Sequence, residues 1–273
     1  MTTARDAVDS ALVALRVSGV DSPELDAELL VAHALGVDRA ALRIDPDRTL
    51  EGPGVRWLRD AVRARSVERV PLAYITGTKG FRHLDLAVDP RVLIPRPETE
   101  HLVEALLDLP EGSRVHDACT GSGAVALALK DERPDLDVSG SDVSAEAVAA
   151  ARENADRLGL DVLFTEGVLL DGAPAELDAI AANPPYVLEE DRGRLAPELR
   201  HEPDAALYAG VDGLAVIRPL LSTAAMTTAR TVALEIGAGQ APAVRALVVA
   251  CGFPEVSVVR DLAGIERVVV GRR

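Results

Sequence analysis

Lysine is nearly absent. The 273 residues hold two, Lys79 and Lys130, within 29 basic residues set against 44 acidic ones, for a net charge of −15. A partner read mainly through its phosphates needs a basic face, so this balance argues against direct nucleic-acid binding. Cysteine is as scarce. Cys119 and Cys251 are too few for a disulfide framework, and no Cys/His cluster has metal-ligand spacing. Both are expected to be unpaired thiols filling core space, with no metal site. No apolar run approaches the roughly 18 residues of a membrane span. Arg5, Asp6 and Asp9 fall where a signal peptide would need an unbroken apolar stretch. A cytoplasmic protein with no membrane partner is the expectation. Repeats and low-complexity tracts are missing too, while an apolar fraction of 48% is ample for a packed core.

The chain changes texture twice. Residues 1–70 read as a small helical bundle. Val8, Leu12 and Leu15 form one stripe before Gly19, and Leu25, Leu29, Ala32 and Leu35 a second before Gly36, with Ser22 and Pro23 as its cap and first turn. A third stripe has Val55, Leu58 and Val62. The run from Arg59 to Arg69 holds four arginines with Asp60 and Glu68 interleaved, and reads as a solvated helix face rather than a basic patch. Residues 71–100 read as short β-like pieces. LDLAV, a DPR turn and a returning VLI predict a β-hairpin linker. From 101 to 273 strands alternate with helices: RVHDA, DVSGSD, VLFT, DAIAA and TVALEIG imply a parallel sheet. EVSVVRD and ERVVVG are joined by LAGI alone, too short for a parallel crossover, so they must pair as an antiparallel hairpin.

The stretch DACTGSGAVALALK begins at Asp117 and puts Gly121 and Gly123 in the first strand-to-helix turn. Glycine there lets a backbone approach a ligand, and the helix N-terminus offers free N–H groups. About twenty residues on, Asp142 ends the second strand, where a carboxylate can accept both hydroxyls of a ribose. Gly121, Gly123 and Ala126 also satisfy the dinucleotide pattern, so the loop alone leaves nicotinamide and S-adenosylmethionine both open.

In IAANPPY the fourth strand delivers Asn183 to the C-terminal edge of the sheet, where open α/β folds bind ligands. Pro184 and Pro185 end the strand and fix a rigid, extended loop. A planar amide or aryl amine is hard to alkylate because its lone pair is delocalised. The side-chain oxygen of Asn183 and the carbonyl of Pro184 can hold its two N–H bonds while Tyr186 packs against the flat group. Positioning, more than a strong base, would then carry the catalysis.

With these motifs assembled, the chain resembles the HemK/PrmC family of release factor glutamine methyltransferases along nearly its whole length. The resemblance is carried by NPPY, by PLAYITG at 71–77, VLIPRPETE at 92–100 and DACTGSG at 117–123, and by SDVSAEAVAAARENA at 141–155, HEPDAALYAGVDGL at 201–214 and LEIGAGQ at 234–240. It implies a Rossmann-like class I methyltransferase dependent on S-adenosylmethionine, with a mostly parallel seven-stranded sheet whose last strand is antiparallel. A helical N-terminal domain for docking the substrate and a β-hairpin linker complete the picture. It implies that Asp117, Cys119, Thr120, Gly121, Ser122, Gly123, Asp142, Val168 and Asn183 hold the cofactor. Asn183, Pro184, Pro185 and Tyr186 would hold the glutamine of a Gly-Gly-Gln motif in class I peptide-chain release factors, with Arg96, Pro97, Glu98 and Thr99 on the active-site side of the linker. Two positions depart from the pattern. Cys119 stands where Gly is common, and Gly167-Val168 stand where an acidic residue and an adenine-packing side chain are common; Val168 can still pack on the ring.

Rival readings are a ribosomal-protein glutamine methyltransferase of the same superfamily, an adenine or cytosine amine methyltransferase acting on nucleic acid, and an oxidoreductase using a nicotinamide cofactor. The charge counts against the nucleic-acid enzyme, and the oxidoreductase leaves Asn-Pro-Pro-Tyr unexplained.

Overall fold

The computed structural model describes residues 2–273. They form two compact units. One takes the chain through Gly77 together with Ala196–His201, the other takes Thr78–Leu195 and Glu202–Arg273.

The first unit is helical. A two-residue strand β1 (Thr2–Thr3) pairs with β2 (Thr49–Leu50) beside α1 (Ala4–Val17), α2 (Pro23–Leu35), α3 (Arg39–Ile44), α4 (Pro53–Ser66) and α5 (Leu72–Thr76). Thr3 caps α1, its hydroxyl accepting from Asp6 N–H at 3.1 Å, and Gly36 closes α2 in the left-handed conformation. The core joins Ala7, Ala11 and Leu15 of α1 to Ala27, Leu30 and Val31 of α2 and to Leu58 and Ala61 of α4. The stripe expected on α2 is met in part: Ala32 is buried and Leu35 packs against the core, but Leu25 is 40% exposed, and Ala27, Leu30 and Val31 supply the rest of the inward face. Ser22 precedes Pro23 as expected but makes no side-chain cap bond.

The arginine run is not uniformly solvated. Arg65 is buried, donating to Asp26 Oδ2 at 2.6 Å and to Glu198 Oε1 at 2.8 Å, and Arg69 donates to the same Glu198 oxygen at 2.8 Å. Charges interleaved in sequence do not reveal which side of a helix meets carboxylates from elsewhere. Removing one partner of such a buried pair costs about 3–5 kcal/mol, because the other charge is stranded. PLAYITG also differs from expectation: it folds as α5, within the helical unit, rather than as a β-like piece.

The second unit opens with a hairpin of β3 (Thr78–Phe81) and β4 (Leu84–Ala87). Its turn is Arg82-His83, so the expected register with VLI as the returning strand is corrected. Arg82 takes the left-handed conformation at φ 51° and donates to Glu132 Oε1 and Oε2, both at 2.7 Å. Val92 and Ile94 are buried but lie outside any strand. A 3-10 turn at Pro97–Thr99 runs into α6 (Glu100–Glu104).

The remaining elements are β5 (Arg114–Ala118), α7 (Ala124–Glu132), β6 (Asp137–Asp142), α8 (Ala145–Leu158), β7 (Leu163–Glu166), β8 (Ala179–Ala182), α9 (Ile217–Ala224), β9 (Thr231–Glu235), α10 (Ala241–Ala250), β10 (Glu255–Arg260) and β11 (Glu266–Arg272). They build a seven-stranded sheet in the order β10-β11-β9-β8-β5-β6-β7. Only β11 runs antiparallel, inserted between β9 and β10 and pairing with both. Ile180, Val232, Leu234 and Val269 of the sheet bury against Ile217, Leu220 and Leu221 of α9 and Val244 and Val248 of α10. Each such side chain contributes about 1.5–3 kcal/mol when fully buried.

Register positions the site. Ala118 of β5 lies opposite Ser141 of β6 and Ala182 of β8. The next residues, Cys119, Asp142 and Asn183, therefore leave three adjacent strands at one level of the same sheet edge.

Candidate active site

Above that edge lies a cavity of about 320 Å³. It is lined by Cys119, Thr120, Gly121 and Ser122 after β5, by Asp142 to Ser144 after β6, by Gly167 to Leu169 after β7, and by Asn183 and Pro185 after β8. Thr99, Asp117, Pro203, Ala205 and Ala206 also face it.

The loop after β5 is held in a left-handed path, with φ of 60° at Cys119, 56° at Gly121 and 83° at Gly123. The two glycines differ in what surrounds them. A Cβ on Gly121 would meet nothing within 4 Å, whereas one on Gly123 would come within 3.0 Å of Leu127 and Phe164. Gly121 thus keeps space open beside the cavity, and Gly123 permits close packing of helix on sheet. Asn154, fully buried on α8, donates to the Ser122 carbonyl at 3.0 Å while bonding Ala87 of the hairpin through both its oxygen and its nitrogen.

Asp142 accepts from Gly121 N–H at 2.9 Å through Oδ2 and from Ser144 N–H at 3.0 Å through Oδ1. Burial raises its pKa, and these backbone donors oppose the rise. Each oxygen retains acceptor capacity for a ligand hydroxyl. Asp117 is deeper. Burial pushes it up to about 7, although it accepts from Thr120 Oγ1 at 2.6 Å and Ala126 N–H at 3.3 Å; the nearby Asp142 adds to the rise. Its hydrogen bonds hold the loop to the first turn of α7. Burial pushes the Cys119 thiol up to about 12, so it is a neutral wall and no nucleophile. His116 is a tie between strands, bonded to Ser139 Oγ at 2.9 Å and Ser141 Oγ at 2.8 Å, and burial lowers it to about 4.

Asn183 donates through Nδ2 to Thr99 Oγ1 at 3.1 Å, leaving Oδ1 without a partner among the described residues. Pro184 and Pro185 are buried. The Tyr186 carbonyl and the Gly213 carbonyl accept from Gln240 Nε2 at 3.4 and 3.3 Å, while Gln240 Oε1 accepts from Gly237 N–H at 2.8 Å. This clasp fixes the loop after the two prolines. The Tyr186 hydroxyl donates to Glu235 Oε1 at 3.4 Å, and burial raises its pKa, as does the Glu235 charge.

Glu235 carries no assigned role in the sequence reading, where it appears only within the strand TVALEIG and the motif LEIGAGQ. It is 1% exposed at the end of β9, and its Oε2 has no hydrogen-bond partner among the described residues. Burial pushes it up to about 7; the Thr99 and Tyr186 hydroxyls favour its anion, Glu98 disfavours it and Arg267 favours it. A continuous apolar run that ends on a single carboxylate gives no sign that the carboxylate is buried with it.

Gly123, Pro184, Tyr186, Arg96 and Glu98 are not among the residues that line the cavity. Arg96 is paired with the buried Glu202, Nη2 to Oε1 at 2.5 Å, and Glu202 Oε2 accepts from Ile94 N–H at 3.0 Å. Val168 lines the cavity and is 56% exposed. The neighbouring departure has a steric cause. A Cβ at Gly167 would come within 2.3 Å of the Asp171 carbonyl oxygen, so this turn admits no side chain there. Among the described residues no group of three or more His, Cys, Asp or Glu could hold a metal ion, and no helix is long and apolar enough to cross a membrane.

Two families match: the PrmC N-terminal domain over residues 6–77 and the methyltransferase small domain over residues 97–232. A methyltransferase from Pyrococcus furiosus superposes with a TM-score of 0.53 at 16% identity, covering 80% of this chain and 96% of that one, a likeness of fold alone. Two release factor glutamine methyltransferases are nearer in sequence. That of Deinococcus radiodurans is 42% identical over 98% of both chains, and that of Neisseria gonorrhoeae is 40% identical over 92% of this chain and 93% of its own. With about 40% identity spanning nearly the whole of both chains, the chain belongs to the release factor glutamine methyltransferase family.

Proposed function

We propose that this chain methylates the side-chain amide nitrogen of the glutamine in the Gly-Gly-Gln motif of class I peptide-chain release factors, with S-adenosylmethionine as the methyl donor. The observation that carries the reading is Asn183: Thr99 holds its nitrogen and leaves Oδ1 unpartnered at the cavity that the glycine loop and Asp142 enclose.

The residues present fit the donor. Asp142 has acceptor capacity for ribose hydroxyls, residues 119–123 offer a backbone cradle with open space at Gly121, and Val168 presents an apolar face for the adenine. S-adenosylmethionine, when bound, supplies an electrophilic methyl group on its sulfonium. Asn183 Oδ1 and the Pro184 carbonyl then hold the two amide hydrogens of the substrate, and Tyr186 packs on its plane. The nitrogen lone pair is thereby directed at the methyl rather than into solvent. One amide proton leaves once the N–C bond has formed, so no strong base is required. Arg96 and Glu98 flank the approach, and the helical unit docks the release factor. The reaction takes place in the cytoplasm, where release factors act.

The test is mass spectrometry of purified release factor after incubation with the enzyme and S-adenosylmethionine. A gain of one methyl group on the Gly-Gly-Gln peptide is expected. An unmodified peptide, or a methyl found instead on a ribosomal protein, overturns the assignment.

A further inference from the structure

Residues 202–210, within the motif HEPDAALYAGVDGL, join two parts of the site that lie far apart in sequence. At one end Glu202, 5% exposed, commits both carboxylate oxygens to the segment before the Pro97 turn: Oε2 accepts from Ile94 N–H at 3.0 Å and Oε1 from Arg96 Nη2 at 2.5 Å. Leu93 and Pro95 of that segment line the cavity. At the other end a short parallel pairing meets the chain that leaves Asn-Pro-Pro-Tyr. Val187 N–H donates to the Leu207 carbonyl at 2.9 Å, Ala209 N–H to the Val187 carbonyl at 2.9 Å, and Glu189 N–H to the Gly210 carbonyl at 3.2 Å. Between these ends Pro203, Ala205 and Ala206 face the cavity.

The connection is stiff. Pro203 has a fixed φ, here −61°, and disfavours a helical Glu202 before it. The turn that follows is closed on itself, with Ala206 N–H donating to the Pro203 carbonyl at 3.0 Å and the N–H groups of Leu207 and Tyr208 to the Asp204 carbonyl at 3.1 and 3.0 Å. A displacement at Glu202 is therefore passed on to Val187 rather than absorbed between them. We propose that Glu202 is a positioning residue for methyl transfer: by gripping Ile94 and Arg96 it fixes residues 203–206 against the cavity and, through the pairing with Val187, holds the Asn-Pro-Pro-Tyr loop in place over the methyl donor. A carboxylate suits this post better than an amide. Both of its oxygens accept and both of its partners donate, whereas a glutamine side chain would turn its own N–H groups toward either Ile94 N–H or Arg96. Burial keeps water from replacing the tie so lost.

This inference rests on reading residues 183–186 as the substrate clamp, so its test includes a readout that needs no substrate. In the full chain, Glu202→Gln keeps the shape of the side chain but sets two donors against each other at one of its ties. Amide hydrogen exchange at Ile94, Val187 and Ala209 should quicken together, by about tenfold, while that at Ile180 in β8 stays parental. Single-turnover transfer at saturating S-adenosylmethionine and release factor should fall roughly 100-fold, the order seen when a reacting group is misplaced. A loss of stability alone would leave the rate per folded molecule parental. Quickened exchange confined to Ile94, an equal rise at Ile180, or parental transfer overturns the proposal. If Glu202→Gln does not fold, Glu202→Asp, which keeps the charge for Arg96 but withdraws it by one methylene, carries the same two measurements, and a parental value in either overturns it. A parent that binds S-adenosylmethionine but leaves the release factor unmodified sinks the substrate assignment, while exchange at Val187 and Ala209 still decides whether Glu202 holds the loop.

Discussion

The backbone N–H of Gly121 donates to Asp142 Oδ2 at 2.9 Å, so the loop after β5 and the carboxylate ending β6 are locked together before any ligand binds. Removing Asp142 should therefore act twice: a ligand hydroxyl loses its acceptor and the loop loses its tether. Hydrogen bonds to a charged group are worth about 1.5–3 kcal/mol each, so Asp142→Ala should weaken S-adenosylmethionine binding by at least tenfold. Calorimetry checks this, and parental affinity in the variant would remove Asp142 from the site.

The three left-handed residues of that loop should respond differently to substitution. Gly123→Ala puts a Cβ within 3.0 Å of Leu127 and Phe164, both fully buried and unable to retreat. A loss of about 2–3 kcal/mol in unfolding free energy is expected from strain and overpacking together. Gly121→Ala has the strained φ but no neighbour within 4 Å, so its loss should be nearer 1 kcal/mol. Cys119→Gly relieves a left-handed non-glycine residue at φ 60° and should gain about 1 kcal/mol. Denaturant unfolding ranks the three; an equal loss for the two alanine variants would contradict the packing role given to Gly123.

Much of this site is legible from residue order because the sheet makes it so. DAIAA leads into Asn183 and DVSGSD ends on Asp142, and the register of these parallel strands against β5 brings such ends to one edge. The hairpin is less legible. Its turn uses Arg82 at φ 51°, which carries no glycine or asparagine signal and is held by Glu132 from α7. The more visible Asp89-Pro90 turn belongs to an extended segment whose Val92 and Ile94 are buried outside any strand. Helix α9 escapes the pattern reading as well, with Pro219 in its first turn. Glu235 and Arg65 are hidden for a common reason: what pairs with a charge comes from elements distant in sequence, and the local pattern holds no record of it.

Stability should depend on pH through the buried carboxylates. Asp117 is raised by burial from 3.8 to about 7, and Glu235 from 4.5 to about 7. A folded-state pKa above the unfolded value means the folded protein binds the proton more tightly. The contribution is fully present below about pH 4 and is lost as pH rises through about 7. Asp117→Asn removes this dependence while keeping an oxygen for Thr120 and Ala126. The melting temperature of the variant relative to the parent should therefore be higher at mildly alkaline than at mildly acidic pH. Comparing the two proteins cancels the opposite contributions of ion-paired carboxylates such as Glu132, whose pKa is lowered. A variant whose relative stability falls with rising pH would show that Asp117 is ionised and stabilising in the fold.

Asn183→Ala separates clamping from cofactor binding. The side chain's one hydrogen bond among the described residues runs to Thr99, and its oxygen lies at the cavity, so truncation leaves Asp142, Gly121 and the loop they fix untouched. S-adenosylmethionine affinity should stay near parental. Transfer should drop by about 10²-fold or more, because a freely rotating substrate amide keeps its lone pair conjugated and misdirected. Asn183→Asp offers a sharper comparison. A carboxylate can still accept the substrate hydrogens, but it cannot donate to Thr99 as the amide nitrogen does, so the bond that orients the side chain is lost. If geometry alone governed the site, the aspartate variant would retain much of the rate; if the clamp depends on Thr99 receiving that bond, it should be nearly as slow as the alanine variant. Single-turnover assays with the release factor, paired with calorimetry on each variant, distinguish the two, and near-parental transfer by Asn183→Ala would refute the clamp itself.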